Sequence, residues 1–304
     1  MARPHTLRVA AAQYPIDAVA TLGQWRDKIV RWVAEGAATG AELLVFPEYG
    51  AIEQAHALGP SVYGDLTATL HAVAELAAER VAFHCELAAR HNVHILVGSG
   101  PLLRAEGGYV NAAQLVTPAG KVGEQHKLIL TPFEHDWNMV AGDEIRVFDT
   151  ALGRLGVTIC YDSEFPFLAR AMAANGAQLL LVPQCTERVS GNYRVRAGAM
   201  ARALENQIAV VTSPTVGDAL WSPAVDRNAG AAGIYVPAEH DVSDTGVLAE
   251  GRMNAPGWVM ATIDFARLDR LRTGGEMRNF TDWLQQPGAR EADSAARVSI
   301  VDLG

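Results

Sequence analysis

Short apolar runs of strand length recur along the whole chain, and helix-spaced apolar residues fill the intervals between them. Residues 41–46, 93–97, 154–159, 178–182 and 208–212 are too short for helices and rich in Val, Leu and Ile. Runs at 110–116 and 121–126 flank Pro118-Ala119-Gly120 and predict a hairpin. A second turn joins 145–148 to 154–159, and further strands are expected at 232–236, 246–249 and 257–263. Between them, Trp25, Ile29, Trp32 and Val33 mark one helix. Leu66, Leu70, Val73, Ala77 and Val81 mark a longer one running toward Arg90. Helices are also expected at 194–207 and 265–271. Hairpins mixed with helical crossovers predict a layered α/β architecture. With 304 residues, 49% of them hydrophobic, the chain can bury a large core. No Ser/Gly-rich linker or charge run marks a boundary, so composition leaves one large domain or two open, and residues 1–304 are taken as one domain with a C-terminal tail at about 285–304.

Three of the runs end in a reactive side chain. Residues 155–159 lead into Cys160, and Asp162 or Ser163 followed by Pro166 then predicts a helix start. A thiol between a strand end and a helix N-terminus meets aligned N–H groups, which lower its pKa and can hold an oxyanion. Taken alone, Cys160 is better read as a buried cysteine packing as a small hydrophobe. Residues 41–46 run into Pro47, which ends regular pairing and leaves Glu48 at the sheet margin. A carboxylate partly screened from water there has a raised pKa and can accept a proton. Lys127 follows the strand-like 121–126 and precedes Leu128-Ile129-Leu130. Held inside a site, its ammonium can stabilise an oxyanion or favour a thiolate. A carboxylate, an ammonium and a thiol suit hydrolysis of a carbon–nitrogen bond through an acyl intermediate.

These segments are similar to those of the nitrilase, or carbon–nitrogen hydrolase, superfamily. The resemblance rests on Phe46-Pro47-Glu48, His126-Lys127 and Cys160-Tyr161-Asp162, in the family's Glu-Lys-Cys order. It extends to Arg8-Val9-Ala10-Ala11-Ala12-Gln13, to Arg202-Ala203-Leu204-Glu205-Asn206 and to the strand-like 257–264. It implies a four-layer α-β-β-α sandwich, a catalytic Glu48, Lys127 and Cys160, and no cofactor. It also implies that Glu134 positions substrate or water, that the Tyr161 N–H helps hold the oxyanion, and that Cys185 borders the pocket. Tyr161-Asp162 resembles the amidase and carbamoylase branches, whereas nitrilases usually carry Trp-Glu there. Several amidase branches place arginine where this chain has Glu164. The expected reaction is hydrolysis of a small linear amide. The alternatives are N-carbamoyl amino acid hydrolysis, nitrile hydrolysis, acyl transfer, or a non-catalytic binding or redox thiol protein.

The remaining features restrict partners. The formal charge of −9, from 25 basic and 34 acidic residues without a basic cluster, argues against nucleic acid or an anionic membrane. No apolar run reaches membrane-spanning length, and the N-terminal run reads as a strand rather than a leader. Three cysteines suit a reducing, cytoplasmic setting. His84, Cys85, His91 and His94 fit no regular zinc spacing, so no metal is expected. His126, His135 and Asp136 are expected around Lys127. Loops 186–193 and 217–228 are expected to select substrate, with Arg188, Arg194 or Arg196 available for a carboxylate. The tail at 297–303 alternates polar and apolar residues. It reads as a strand that covers its apolar side on a neighbouring subunit or on its own, which lends modest support to the homodimer, or higher oligomer, that the family resemblance implies.

Overall fold

The computed structural model describes residues 5–304. The first half of the chain supplies β1 (Thr6–Pro15), β2 (Leu43–Val45), β3 (His94–Leu103), β4 (Tyr109–Val116) and β5 (Val122–His126). The second half supplies β6 (Ile145–Thr150), β7 (Gly153–Val157), β8 (Leu179–Gln184) and β9 (Ala209–Asp218). It continues with β10 (Arg227–Asn228), β11 (Gly233–Tyr235), β12 (Val247–Glu250), β13 (Gly257–Asp264) and β14 (Val298–Asp302). One sheet runs β13-β1-β2-β3-β4-β5 and the other β14-β6-β7-β8-β9-β11-β12. They join where Tyr14 and Pro15 pair in parallel with Thr215 and Val216.

Side-chain alternation sets the layers. In β1, Val9 and Ala11 face one core while Ala10 and Ala12 face another. Leu43 and Val45 divide from Leu44 in the same way, and Leu96 from Ile95. The odd-numbered set of β1 shares its core with Val147, Leu155 and Val157 of the second sheet, so two sheets pack face to face. The even-numbered set is covered by Trp25, Ile29 and Val33 of the helix Leu22–Ala38 and by Phe83 and Leu87 of Ala77–His91. Helices Pro166–Ala174 and Val189–Asn206 cover the outside of the second sheet through Leu168, Met172, Val195 and Ala199. The result is the α-β-β-α order.

The structure departs from the sequence reading in detail. The helix expected from Leu66 toward Arg90 is two, Leu66–Glu75 and Ala77–His91, because Leu76 (φ −80°, ψ −2°) closes the first with a tight turn. The tail does form a strand, and it lies on its own subunit, parallel to β6 with Val298 opposite Ile145. Neither Asp162 nor Ser163 caps the helix after Cys160. That helix starts at Pro166 with no side-chain cap, and a 3₁₀ turn, Cys160–Glu164, comes between.

One glycine fixes the carboxylate turn. Gly98 has φ +88°, and a Cβ there would lie 2.1 Å from the Pro47 carbonyl oxygen. That carbonyl accepts from Ser99 N at 3.1 Å. Gly98→Ala is expected to force β3 and the Pro47 turn apart and cost about 2–3 kcal/mol of stability in denaturant unfolding.

Candidate active site

The three strand ends converge. β2 stops at Val45, Tyr49 adopts a left-handed conformation (φ 55°), and the sharp turn aims Glu48 inward, where it is 2% exposed. Lys127 N donates to the Asn111 carbonyl at 2.8 Å, which continues the β4–β5 ladder by one residue and turns the side chain into the interior. Its Nζ donates to Glu48 Oε1 at 2.7 Å and pairs with Glu134 Oε2 at 2.8 Å. Glu134 stands at the third position of a capping box. Its Oε2 accepts from Thr131 N and Thr131 Oγ1, each at 2.9 Å, and Thr131 Oγ1 accepts in turn from Glu134 N. One carboxylate therefore caps a helix and faces the ammonium.

Cys160 follows β7 after a last strand-like bond, Thr158 N to the Leu181 carbonyl. Its own φ of 48° turns the chain sharply into the 3₁₀ segment. The left-handed φ is costly for a residue with a Cβ and is held by the turn around it. Asp162 does much of that holding. Its carboxylate accepts from Ile159 N at 3.1 Å, Leu128 N at 3.2 Å and Ile129 N at 2.8 Å. The cysteine turn is thus tied to the backbone just past Lys127. Cys160 Sγ lies 3.8 Å from the Cys185 carbonyl oxygen, and Cys185 N donates to Glu48 Oε2 at 2.9 Å. The backbone of Cys185 therefore contacts both the thiol and the carboxylate, while its own Sγ points to Asn228 Oδ1 at 3.3 Å.

Burial and charge set the proton affinities. Desolvation raises the Glu48 pKa and outweighs the opposing pull of Lys127, with the Glu134 charge adding to the rise. Burial alone would lower Lys127, yet the Glu48 and Glu134 carboxylates hold it well above its ordinary value. Glu134 is lowered. Burial opposes this, but Lys127 and the Thr131 N–H outweigh it. Cys160 is raised well above the ordinary thiol value by burial and then by the Glu48 charge, with Lys127 only partly opposing. This corrects the expectation of a lowered thiol pKa, since desolvation exceeds any help from the turn's N–H groups. These directions favour a protonated thiol at Cys160, an ammonium at Lys127 and a carboxylate at Glu134. Burial pushes the Cys185 thiol up to about 12.

The group forms the floor of a pocket of about 530 Å3. Phe133, Trp137, Tyr161 and Val195 supply apolar wall, and the mouth is ringed by Glu164, Arg188, Arg194 and Arg227. Both selected loops contribute, residues 186–191 and 223–227. Arg194 pairs with Glu164 at 3.4 Å. Arg196 does not line the pocket and pairs with Glu250 instead. His126 contacts Glu124 at 2.7 Å, directed away from the Lys127 ammonium, and neither His135 nor Asp136 lines the pocket. His84 packs among the rings of Trp25, Phe46 and Phe83, and His94 sits in β3.

Sequence reasoning missed Asn111. Its Nδ2 donates to Glu48 Oε1 at 2.9 Å and to Glu134 Oε1 at 3.0 Å, bridging the carboxylates that flank Lys127. The signal was present: a lone asparagine within the apolar run 110–116, at a fully buried strand position. The Tyr49 hydroxyl, donating to Glu134 Oε1 at 2.7 Å, was also missed as a partner of Glu134.

The carbon–nitrogen hydrolase family model matches residues 8–272, and the chain belongs to that family. It is 32% identical over 280 residues to the "Probable hydrolase YhcX" of Bacillus subtilis, covering 91% of this chain and 53% of that protein. It is 31% identical over 144 residues to the deaminated glutathione amidase of Yersinia enterocolitica, covering 43% of this chain and 50% of that protein. The chain thus spans about half the length of these curated relatives. Among solved structures, a carbon–nitrogen hydrolase from Helicobacter pylori G27 superposes with a TM-score of 0.74 at 20% identity. That match covers 96% of this chain and 99% of the other, and it establishes the shared fold.

Asp162→Asn sets an amide NH2 against backbone donors. It is expected to cost about 1–3 kcal/mol in denaturant unfolding, the penalty of breaking buried hydrogen bonds. Unchanged stability would mean that the tie between the two segments is slack.

Proposed function

We propose that this protein hydrolyses a non-peptide carbon–nitrogen bond in a small linear amide, through a thioester on Cys160. The observation that carries the reading is the buried Glu48–Lys127–Glu134 cluster set beside Cys160 at the floor of one pocket. Family membership and the amidase named among its relatives support it.

In this reading Glu48, a carboxylate of raised proton affinity, takes the Cys160 proton as sulfur attacks the carbonyl. Because burial keeps the resting thiol protonated, deprotonation and attack proceed together. Lys127 and the Tyr161 N–H hold the tetrahedral oxyanion. The C–N bond breaks, Glu48 returns its proton to the leaving nitrogen, and ammonia or an amine departs. Water then attacks the thioester, with Glu48 as base and Glu134 holding its approach. The carboxylic acid leaves and the proton returns to sulfur. No cofactor enters this scheme. Carbamoyl hydrolysis, nitrile hydrolysis and acyl transfer would use the same thiol. Three free cysteines, one of them the nucleophile, suit a cytoplasmic setting, and the working unit is proposed as a homodimer. Among the described residues no helix is long and apolar enough to cross a membrane.

Ammonia release from a panel of linear amides, nitriles and N-carbamoyl amino acids tests the reading. Amides are expected to turn over, and Cys160→Ala and Cys160→Ser are expected to lose at least about 10³-fold in kcat. Amide turnover by the alanine variant at the wild-type rate would refute the thioester.

The pH profile is a separate check. Protonated Glu48 cannot act as base, so kcat/KM should fall as pH drops through its raised pKa. Glu134, lowered by Lys127, stays ionised there. The acid limb is expected above the ordinary glutamate value of about 4.3. A limb at or below that value would count against Glu48. For assembly, light scattering giving a mass near 32.5 kDa would mean a monomer and overturn the dimer.

A further inference from the structure

Among the described residues, buried Lys and Arg side chains follow a rule with one exception. Lys28, Lys127, Arg170 and Arg202 are buried, and each pairs with a carboxylate: Glu53, Glu48, Asp293 and Glu205 respectively. Arg80, on the helix Ala77–His91, is 3% exposed and forms no ion pair among the described residues. Its Nη1 donates to Gln54 Oε1 at 2.7 Å and to the Val73 carbonyl at 3.1 Å, both neutral acceptors. A guanidinium taken out of water without a counter-charge costs several kcal/mol even after relaxation, far more than two neutral hydrogen bonds return.

Arg80 borders a second cavity, of about 20 Å3. Phe46, Pro47, Gly50 and Ala51 form one wall, so the cavity lies directly behind the turn that carries Glu48. Trp25 and His84 form another. His84 Nδ1 donates to the Arg80 carbonyl at 2.8 Å, and burial lowers its pKa to about 4, so the ring is neutral at pH 7. Arg80 is then the one charged side chain among the cavity's lining residues. A single water needs about 10–15 Å3. The space suits one small particle. Water would supply an acceptor without a charge; a halide supplies both.

We propose that this cavity is a binding site for one halide-sized monovalent anion, which neutralises Arg80 and braces the Glu48 turn from behind. The inference does not rest on the proposed reaction, because its test reads binding and stability.

Thermal unfolding is followed in sodium chloride, bromide and gluconate at equal ionic strength, gluconate being too large for the cavity. The midpoint is expected to rise with the logarithm of chloride or bromide once the ion exceeds its dissociation constant, by about 3 °C near tenfold excess. Arg80→Gln should abolish the difference between halide and gluconate while leaving the general salt response. Equal midpoints in chloride and gluconate for the wild-type protein would overturn the site, as would an undiminished halide effect in Arg80→Gln. Should that variant fail to fold, anomalous diffraction from wild-type crystals grown in bromide decides. A bromide peak against the Arg80 guanidinium supports the proposal. Water there, or bromide only at the surface, refutes it.

Discussion

The Lys127 ammonium, buried between the Glu48 and Glu134 carboxylates, is the contact on which the rest of the site depends. None of the three could be buried alone, because an isolated ion in a low-dielectric interior shifts its pKa and neutralises. Together they offset one another's burial, with Asn111, Tyr49, Thr131 and the Cys185 N–H satisfying the remaining carboxylate positions. Replacing such a cluster with hydrocarbon would often be neutral or stabilising. A chain that keeps it gains placement of charge beside Cys160 rather than stability. The carboxylates, the ammonium and Asn111 come from the ends of β2, β4 and β5 and the turn after them, and the Cys185 N–H that completes the set comes from the second sheet.

The site therefore draws on both sheets. Glu48, Asn111 and Lys127 belong to the first sheet and its edges, Cys160 and Cys185 to the second. The sheets meet through a common apolar core, and the pocket opens at the ends of β2, β5, β7 and β8. Two backbone bridges fix the approach: Asp162 accepts N–H groups just past Lys127, and Cys185 N donates to Glu48. Neither is apolar, so each holds direction where core packing alone holds only distance. Reach across the two sheets is thereby limited to hydrogen-bond lengths.

Much of this was legible in the sequence because its signals are local. Strand-length apolar runs, Pro47 after one of them and a Pro-Ala-Gly turn between two others locate the elements that carry Glu48, Lys127 and Cys160. The face-to-face sheets and the expectation for Glu134 came through family resemblance, since periodicity cannot show which strand neighbours which. What escaped depends on distance in the chain. Asn111 matters because it lies between residues far from it in sequence. Asp162 looked like a cap for the next helix because a side chain's nearest N–H groups are the natural guess. In the fold, N–H groups at 128 and 129 compete for it as well. The break at Leu76 was hidden because the apolar spacing continues across it.

The thiol shows why a motif and its environment must be weighed together. A turn N-terminus and a nearby ammonium both favour a thiolate, and the sequence displays both. Burial opposes them, and the Glu48 carboxylate, drawn close by the same ammonium, opposes them again. A lysine that attracts two carboxylates has little field left for the sulfur. In the proposed reaction, the arrangement favours a poised base over a preformed nucleophile. Glu48 gains proton affinity from burial, Cys160 keeps its proton, and the two affinities are driven upward by the same exclusion of water. Proton transfer between them changes the net charge of the pocket very little. A reaction that begins with such a transfer avoids creating a new buried charge until the oxyanion forms beside Lys127, where the compensating ammonium already stands.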